Sequence, residues 1–276
     1  MQSKKSTKYI SKQADEQGFV QYTDEENSVW HDLFVRQMKL LANRADQAFL
    51  DGIEKLQMNA NRIPQIPEVN EKLYALTGWQ ITPVSALIDF DTFFKLLSSR
   101  KFPAATFIRT REEIDYLQEP DIFHEIFGHC PLLTLPAYAD FTYQYAQLGL
   151  NANAKDRAML ARLYWFTIEF GLIQTLDGLR IYGGGILSSY GETQYCLDSK
   201  VPILKHLDAL EAFRTPYRID IMQPQYFIIQ DYSKLYDLMK LDLMALIQQA
   251  RELGMHPPLF EPKNGMKPEE QETKFC

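Results

Sequence analysis

A mostly α-helical single domain with small β elements is predicted by three features of the sequence. Apolar residues return at helical spacing in several long stretches, whereas extended runs are few and short. The 276 residues contain no internal repeat, no long linker and no low-complexity block. A chain of this length, 46% hydrophobic and 24% charged, has enough apolar surface for one large core.

Taken in order, residues 1–22 are polar and expected to be loosely ordered. Thr23 precedes Asp24, Glu25 and Glu26, a side-chain cap followed by acids in the first turn. Behind them Trp30, Leu33, Phe34, Met38, Leu41 and Ala45 recur in step, which predicts a helix to about Leu56. Residues 59–67 form a proline-punctuated loop, and a short helix over 69–76 stops at Gly78. Residues 79–87 are expected to be extended, 91–97 helical and 102–109 a short strand. Short helices follow over 121–127 and 136–148. The most strongly helical stretch is 154–174, with Met159, Leu163, Phe166 and Phe170 on one face. Residues 179–187 contain three consecutive glycines and predict a strand with a tight bend. Leu235, Met239, Leu243, Leu246, Ala250 and Leu253 predict a last helix over 233–253, ended by Gly254, Pro257 and Pro258. The expected division is one folded domain over 23–254, flanked by an N-terminal segment (1–22) and a C-terminal tail (255–276).

A net charge of −7 provides no field to gather nucleic acid or anionic lipid. Three cysteines (Cys130, Cys196 and Cys276) are too few for a disulfide framework, and no CxxC pair suggests a thiolate zinc site. The N-terminal residues lack the apolar core of a secretory signal, and no apolar run is long enough to span a bilayer. A reduced, cytoplasmic, soluble protein is expected.

The most informative stretch runs from Glu119 to His129. His124 and His129 lie five apart, with Glu125 beside the first. Zinc peptidases place histidines at i and i+4 on one helix face, and here position i+4 is Gly128. The two imidazoles can still share a metal if the helix loosens at Gly128; otherwise they are satisfied core histidines. Glu169 lies inside an almost unbroken apolar and aromatic run, where a carboxylate is costly unless paired or metal-bound. It either meets an arginine from elsewhere or completes a set of two histidines and one carboxylate, the arrangement of non-haem iron(II) oxygenases.

Residues 120–133 resemble the iron-binding signature of the pterin-dependent aromatic amino-acid hydroxylases, Pro-Asp-x-x-His-Glu-x-x-Gly-His-x-Pro-Leu. Two further blocks are similar to that family, over 164–172 and 182–192, as is the pair Gln223-Pro224 with the aromatics after it. The resemblance spans roughly residues 20–250 in the same order. It implies that His124, His129 and Glu169 bind Fe(II), and that tetrahydrobiopterin or a related tetrahydropterin and O2 take part. It places Phe93 under the pterin ring, Glu125 toward the pterin and the iron-bound water, and Ala161 and Tyr164 around the same pocket. Arg109 matches the clamp for the substrate carboxylate, a task that suits a guanidinium's paired donors. Gly185 and Ser188 match positions near the substrate backbone, and Pro120 and Trp165 match walls of the aromatic pocket. Leu117 departs from the family's threonine, which puts one polar substrate contact in doubt.

Within the family, Trp165 matches the phenylalanine and tyrosine enzymes, since the tryptophan enzymes carry a smaller ring there. Ile219 lies where tyrosine hydroxylases place an aspartate, and an apolar residue favours a ring without a hydroxyl. L-Phenylalanine is therefore the expected substrate and L-tyrosine the product. Tryptophan or tyrosine hydroxylation, a zinc hydrolase on the same three ligands, and a binding protein without turnover are the alternatives. The resemblance to compact bacterial forms implies a monomer or homodimer.

Overall fold

The computed structural model describes residues 8–85, 88–117 and 119–262. Residues 86–87, at the end of the expected extended stretch, and Cys276 with most of the expected tail lie outside these.

The first helix, α1 (Asp24–Leu41), begins as its cap predicts. The Glu26 amide donates to the Thr23 hydroxyl, and the Thr23 amide donates back to the Glu26 carboxylate. It does not run on to Leu56. Asn43 takes a positive φ of 63°, and Asp46 opens a separate helix, α2 (Gln47–Lys55), by accepting from the Ala48 amide. The break is fixed from outside, because the Asp46 amide donates to Ile181 far along the chain.

Helix α3 (Ile66–Thr77) stops at Gly78 in the left-handed conformation (φ 74°). Strands β1 (Gln80–Val84) and β2 (Lys101–Ala105) pair in parallel across α4 (Phe90–Leu97), capped by Asp89. The expected strand over 102–109 stops at Ala105. From Thr106 the chain pairs instead with the N-terminal segment: Thr106 donates to Ser11 Oγ and to the Lys12 carbonyl, and Tyr22 donates to the Thr106 carbonyl.

Next come a π-helical turn (Phe123–His129), α5 (Cys130–Leu133), α6 (Pro136–Asn151) and α7 (Ala154–Tyr164). The long helix expected over 154–174 divides in three. Helix α7 passes into a second π turn (Trp165–Glu169), and the chain then becomes strand β3 (Gly171–Thr175). Strand β4 (Gly178–Ile181), short helices α8 (Gly184–Leu187) and α9 (Tyr190–Asp198), strand β5 (Ile203–His206), helix α10 (Ala209–Arg214) and strand β6 (Gln225–Ile229) follow. The four strands form one mixed sheet in the order β4-β3-β6-β5. Strand β3 is interior, antiparallel to β4 and parallel to β6, and this pairing outweighs the local helical pattern. The last expected helix is also two, α11 (Ser233–Leu238) and α12 (Leu243–Leu253), with Asp242 capping the second through the Ala245 amide.

Aromatic packing sets the position of the first π turn. Phe123 and Phe127 stack at 4.6 Å, while Trp30 meets Phe123 edge-on and Phe34 and Phe49 meet Phe127 edge-on. With one side of the turn held in the core, its histidines are left to face α8 and the second π turn. No helix among the described residues is long and apolar enough to cross a membrane.

Candidate active site

Both π turns carry candidate metal ligands. In an α-helix, residue i+5 lies well round the axis from residue i. A turn closed by i to i+5 hydrogen bonds brings the two nearly into line. His124 and His129 sit on such a turn, and their Nε2 atoms approach to 3.1 Å. Glu169 closes the second turn and points at both, with Oε1 3.4 Å from His129 Nε2 and Oε2 3.8 Å from His124 Nε2. No other trio of this kind occurs among the described residues.

The donor set fits a divalent metal such as iron. Three ligands about 2.1 Å from one ion on a single octahedral face are about 3.0 Å apart, close to the spacing seen here. Burial, reinforced by the neighbouring His129, pushes His124 down to about 4, so its ring is neutral and able to coordinate at neutral pH. Burial would raise Glu169, but the two histidines outweigh it and hold the carboxyl below its ordinary value. The rings are fixed from behind. His124 Nδ1 lies 2.9 Å from Ser188 Oγ, and His129 packs against the Phe102 ring at 5.0 Å. Gly184 lies so close to His129 that a Cβ there would be 2.4 Å from Nδ1.

Beside this trio opens a cavity of about 460 Å³. Arg109, Pro120, Trp165, Gly185 and Ser188 line it together with His124 and Glu169, and so do Leu117 and Ile219. Asp121, fully buried, organises one end. It accepts from Arg109 Nε (2.8 Å), Nη2 (2.9 Å) and the Arg109 amide (2.9 Å), and from the His124 amide (3.1 Å). Burial would raise Asp121, but the Arg109 guanidinium and these hydrogen bonds hold its carboxyl below the usual range. The outer edge of the guanidinium, Nη1 and the second N–H of Nη2, is left for a ligand. At the other end Trp165 stacks between Phe170 (4.3 Å) and Tyr217 (4.5 Å), and its Nε1–H donates to Gln223 Oε1 at 3.1 Å.

Besides the ligand His129, four expected site residues do not line this cavity. Phe93, Ala161, Tyr164 and Glu125 are all buried, and Phe93 meets Tyr164 edge-on at 5.3 Å. Glu125 is notable because its Oε2 is buried without a hydrogen-bond partner among the described residues. Burial, with the nearby charges of Glu169 and Asp121, pushes its pKa well above the carboxylate range. A buried acid with an unused oxygen suits a polar group supplied by a bound cofactor.

Sequence reasoning passed over Asp121, Tyr217 and Glu192. Asp121 stood inside the quoted motif, and its spacing from His124 was the available signal. Glu192 closed the quoted 182–192 block, although only folding brings it to the cavity, and Tyr217 had no signal, since folding alone stacks it on Trp165.

The biopterin-dependent aromatic amino acid hydroxylase family model matches residues 2–253, and the chain belongs to that family. It is 56% identical to a phenylalanine-4-hydroxylase of Pseudomonas aeruginosa, over 94% of this chain and 98% of that one. Among solved structures it resembles the cold-active phenylalanine hydroxylase of Colwellia psychrerythraea, with 53% identity, a TM-score of 0.89, and coverage of 91% of this chain and 97% of that one. It also resembles the Chromobacterium violaceum phenylalanine hydroxylase bound to iron(III) and 7,8-dihydrobiopterin, with 41% identity, a TM-score of 0.83, and coverage of 92% and 93%.

Proposed function

We propose that the protein is a phenylalanine 4-monooxygenase, hydroxylating L-phenylalanine to L-tyrosine with O2 and a tetrahydropterin at Fe(II) held by His124, His129 and Glu169. The observation that carries the proposal is the convergence of those three side chains at 3.1–3.8 Å beside a cavity that His124 and Glu169 line together with Arg109. The phenylalanine hydroxylases to which the chain is similar support the choice of substrate.

Bound iron and tetrahydropterin supply the oxygen activation that protein side chains lack. The chain's own residues bind and orient. Arg109, held by Asp121, receives the substrate carboxylate on its free edge. Trp165, Pro120 and Ile219 enclose the ring. Ile219 offers no partner to a ring hydroxyl, which favours phenylalanine over tyrosine. Ser188 and Gly185 lie where the substrate backbone passes, and Ser188 also steadies His124. Phe93, Ala161 and Tyr164 are assigned to the pterin. Glu125, through its unpartnered Oε2, is assigned a hydrogen bond toward it. The catalytic unit over 23–254, a monomeric or homodimeric state and cytoplasmic residence belong to the same proposal, the last supported by free Cys130 and Cys196.

The test is tyrosine formation from phenylalanine with Fe(II), tetrahydropterin and oxygen, beside His124→Ala. Iron- and pterin-dependent tyrosine that disappears in the variant is expected. Folded, iron-loaded protein that makes none would overturn the assignment, and relative turnover of tryptophan and tyrosine would then show whether a sister activity is present.

A further inference from the structure

The cavity holds a second charged group whose role the proposed function leaves open. Glu192, on α9, is 5% exposed and lines the same cavity as Arg109. One oxygen is fully engaged. Oε1 accepts from the Gln223 amide (2.9 Å) and from the Tyr226 hydroxyl. Oε2 has no hydrogen-bond partner among the described residues, yet it is not sealed away from the cavity as the buried, partnerless Glu125 Oε2 is.

The other acids lining the cavity are already committed or exposed. Asp115 pairs with Arg36 and Asp220 with Arg218. Glu169 faces the two histidines, and Glu119 is only half-buried. Glu192 is thus a buried carboxylate that lines the cavity with no cation paired to it among the described residues. Such a group is costly to keep unless a ligand supplies the missing charge.

An α-amino acid brings one anionic and one cationic group on a single carbon. Arg109 answers the first. Among residues lining the cavity, Leu117 is apolar, and the hydroxyl of Ser188 is turned to the Gly184 carbonyl and His124. We infer that Glu192 is the receptor for the α-ammonium group of the amino-acid substrate, with Oε2 as the acceptor and Tyr226 and the Gln223 amide orienting it. The inference rests on the phenylalanine reading above. Burial pushes Glu192 up from its ordinary carboxyl range, against the pull of the Tyr226 and Gln223 hydrogen bonds, and an arriving ammonium would restore the ionised form. Gln223 also receives the Trp165 indole N–H, so one residue links the ammonium receptor to the aromatic wall.

Glu192→Gln isolates the charge, because the amide oxygen can still accept from Tyr226 and Gln223. Binding of L-phenylalanine and of 3-phenylpropanoate, the same molecule without its ammonium group, is measured by calorimetry on anaerobic, iron-loaded protein. The variant is expected to weaken phenylalanine about 10- to 100-fold, the size of one charge-assisted hydrogen bond, and to leave phenylpropanoate unchanged or slightly tighter. Unaltered phenylalanine affinity in the variant, or equal weakening of both ligands, would overturn the inference, the second outcome assigning Glu192 a purely structural role. Glu192→Asp provides a second reading if the glutamine variant folds poorly. It keeps the charge but withdraws it by one methylene, and a smaller loss confined to phenylalanine is expected, with loss shared by both ligands counting against the receptor role. Wild-type protein that binds neither ligand would instead refute the phenylalanine reading itself.

Discussion

Replacing Gly184 by alanine tests the metal centre without touching a ligand. The added Cβ would stand 2.4 Å from Nδ1 and 2.5 Å from Cε1 of His129, whereas ordinary contact begins at 3.4 Å. The imidazole must therefore retreat by about 1 Å, the gap between those distances. It has little room to do so, being 1% exposed and packed on Phe102 at 5.0 Å. Gly184 does not need a positive φ, so the backbone accepts alanine and the strain falls on the ring. A shift of this size far exceeds the tolerance of metal–ligand bonds, roughly 0.2 Å. Fe(II) affinity is expected to fall about 10- to 100-fold, with an overpacking cost of about 1–3 kcal/mol in the metal-free protein. Anaerobic iron titration against a chromophoric chelator reads the first, and denaturant unfolding reads the second. Wild-type iron affinity with wild-type tyrosine yield would refute the placement of His129 as a ligand held by Gly184.

Arg109→Lys removes the planar fork shared with Asp121, so KM for phenylalanine should rise about 10- to 100-fold while iron affinity is unchanged, as read by steady-state kinetics and iron titration. The pH dependence of the metal-free protein follows from His124, whose pKa falls from 6.5 unfolded to about 4 folded. As pH drops below about 6.5 the unfolded chain takes up a proton that the folded one refuses, so stability should decline by up to about 3 kcal/mol between pH 6.5 and 4. Bound iron, which holds the ring unprotonated, should strengthen this dependence, and chemical denaturation across that range with and without metal measures both. Asp121 and Glu169, both held below their ordinary values, should add a further loss at more acid pH as they protonate. Glu125→Gln keeps a hydrogen-bonding group of the same shape at a site where burial disfavours a charge; it should leave iron affinity unchanged and lower the tyrosine formed per tetrahydropterin consumed, an effect checked by measuring both in one assay.

Local chemistry was legible wherever neighbours in the chain decide it. The Thr23 cap, the Gly78 stop and the amphipathic faces of α1 and α7 depend on residues within a turn or two, and so they can be read from spacing. The ligand set was legible for a different reason: His124, His129 and Glu169 are unusual residues in otherwise apolar surroundings, and a buried polar group demands a partner. What tertiary structure alone decided is where helices give way. Residues 165–175 keep a helical pattern of apolar side chains because they are buried on several sides, and that burial conceals both the π turn that aims Glu169 and the strand that follows it. The same holds at Asn43, where a distant carbonyl on Ile181 fixes the next turn. The shift to i+5 spacing that unites His124 with His129, the Asp121 brace on Arg109, and the approach of Glu192 and Gln223 to Trp165 join positions 5 to 58 residues apart. A local pattern can mark such residues as costly to bury, but only the packed core determines which of them meet.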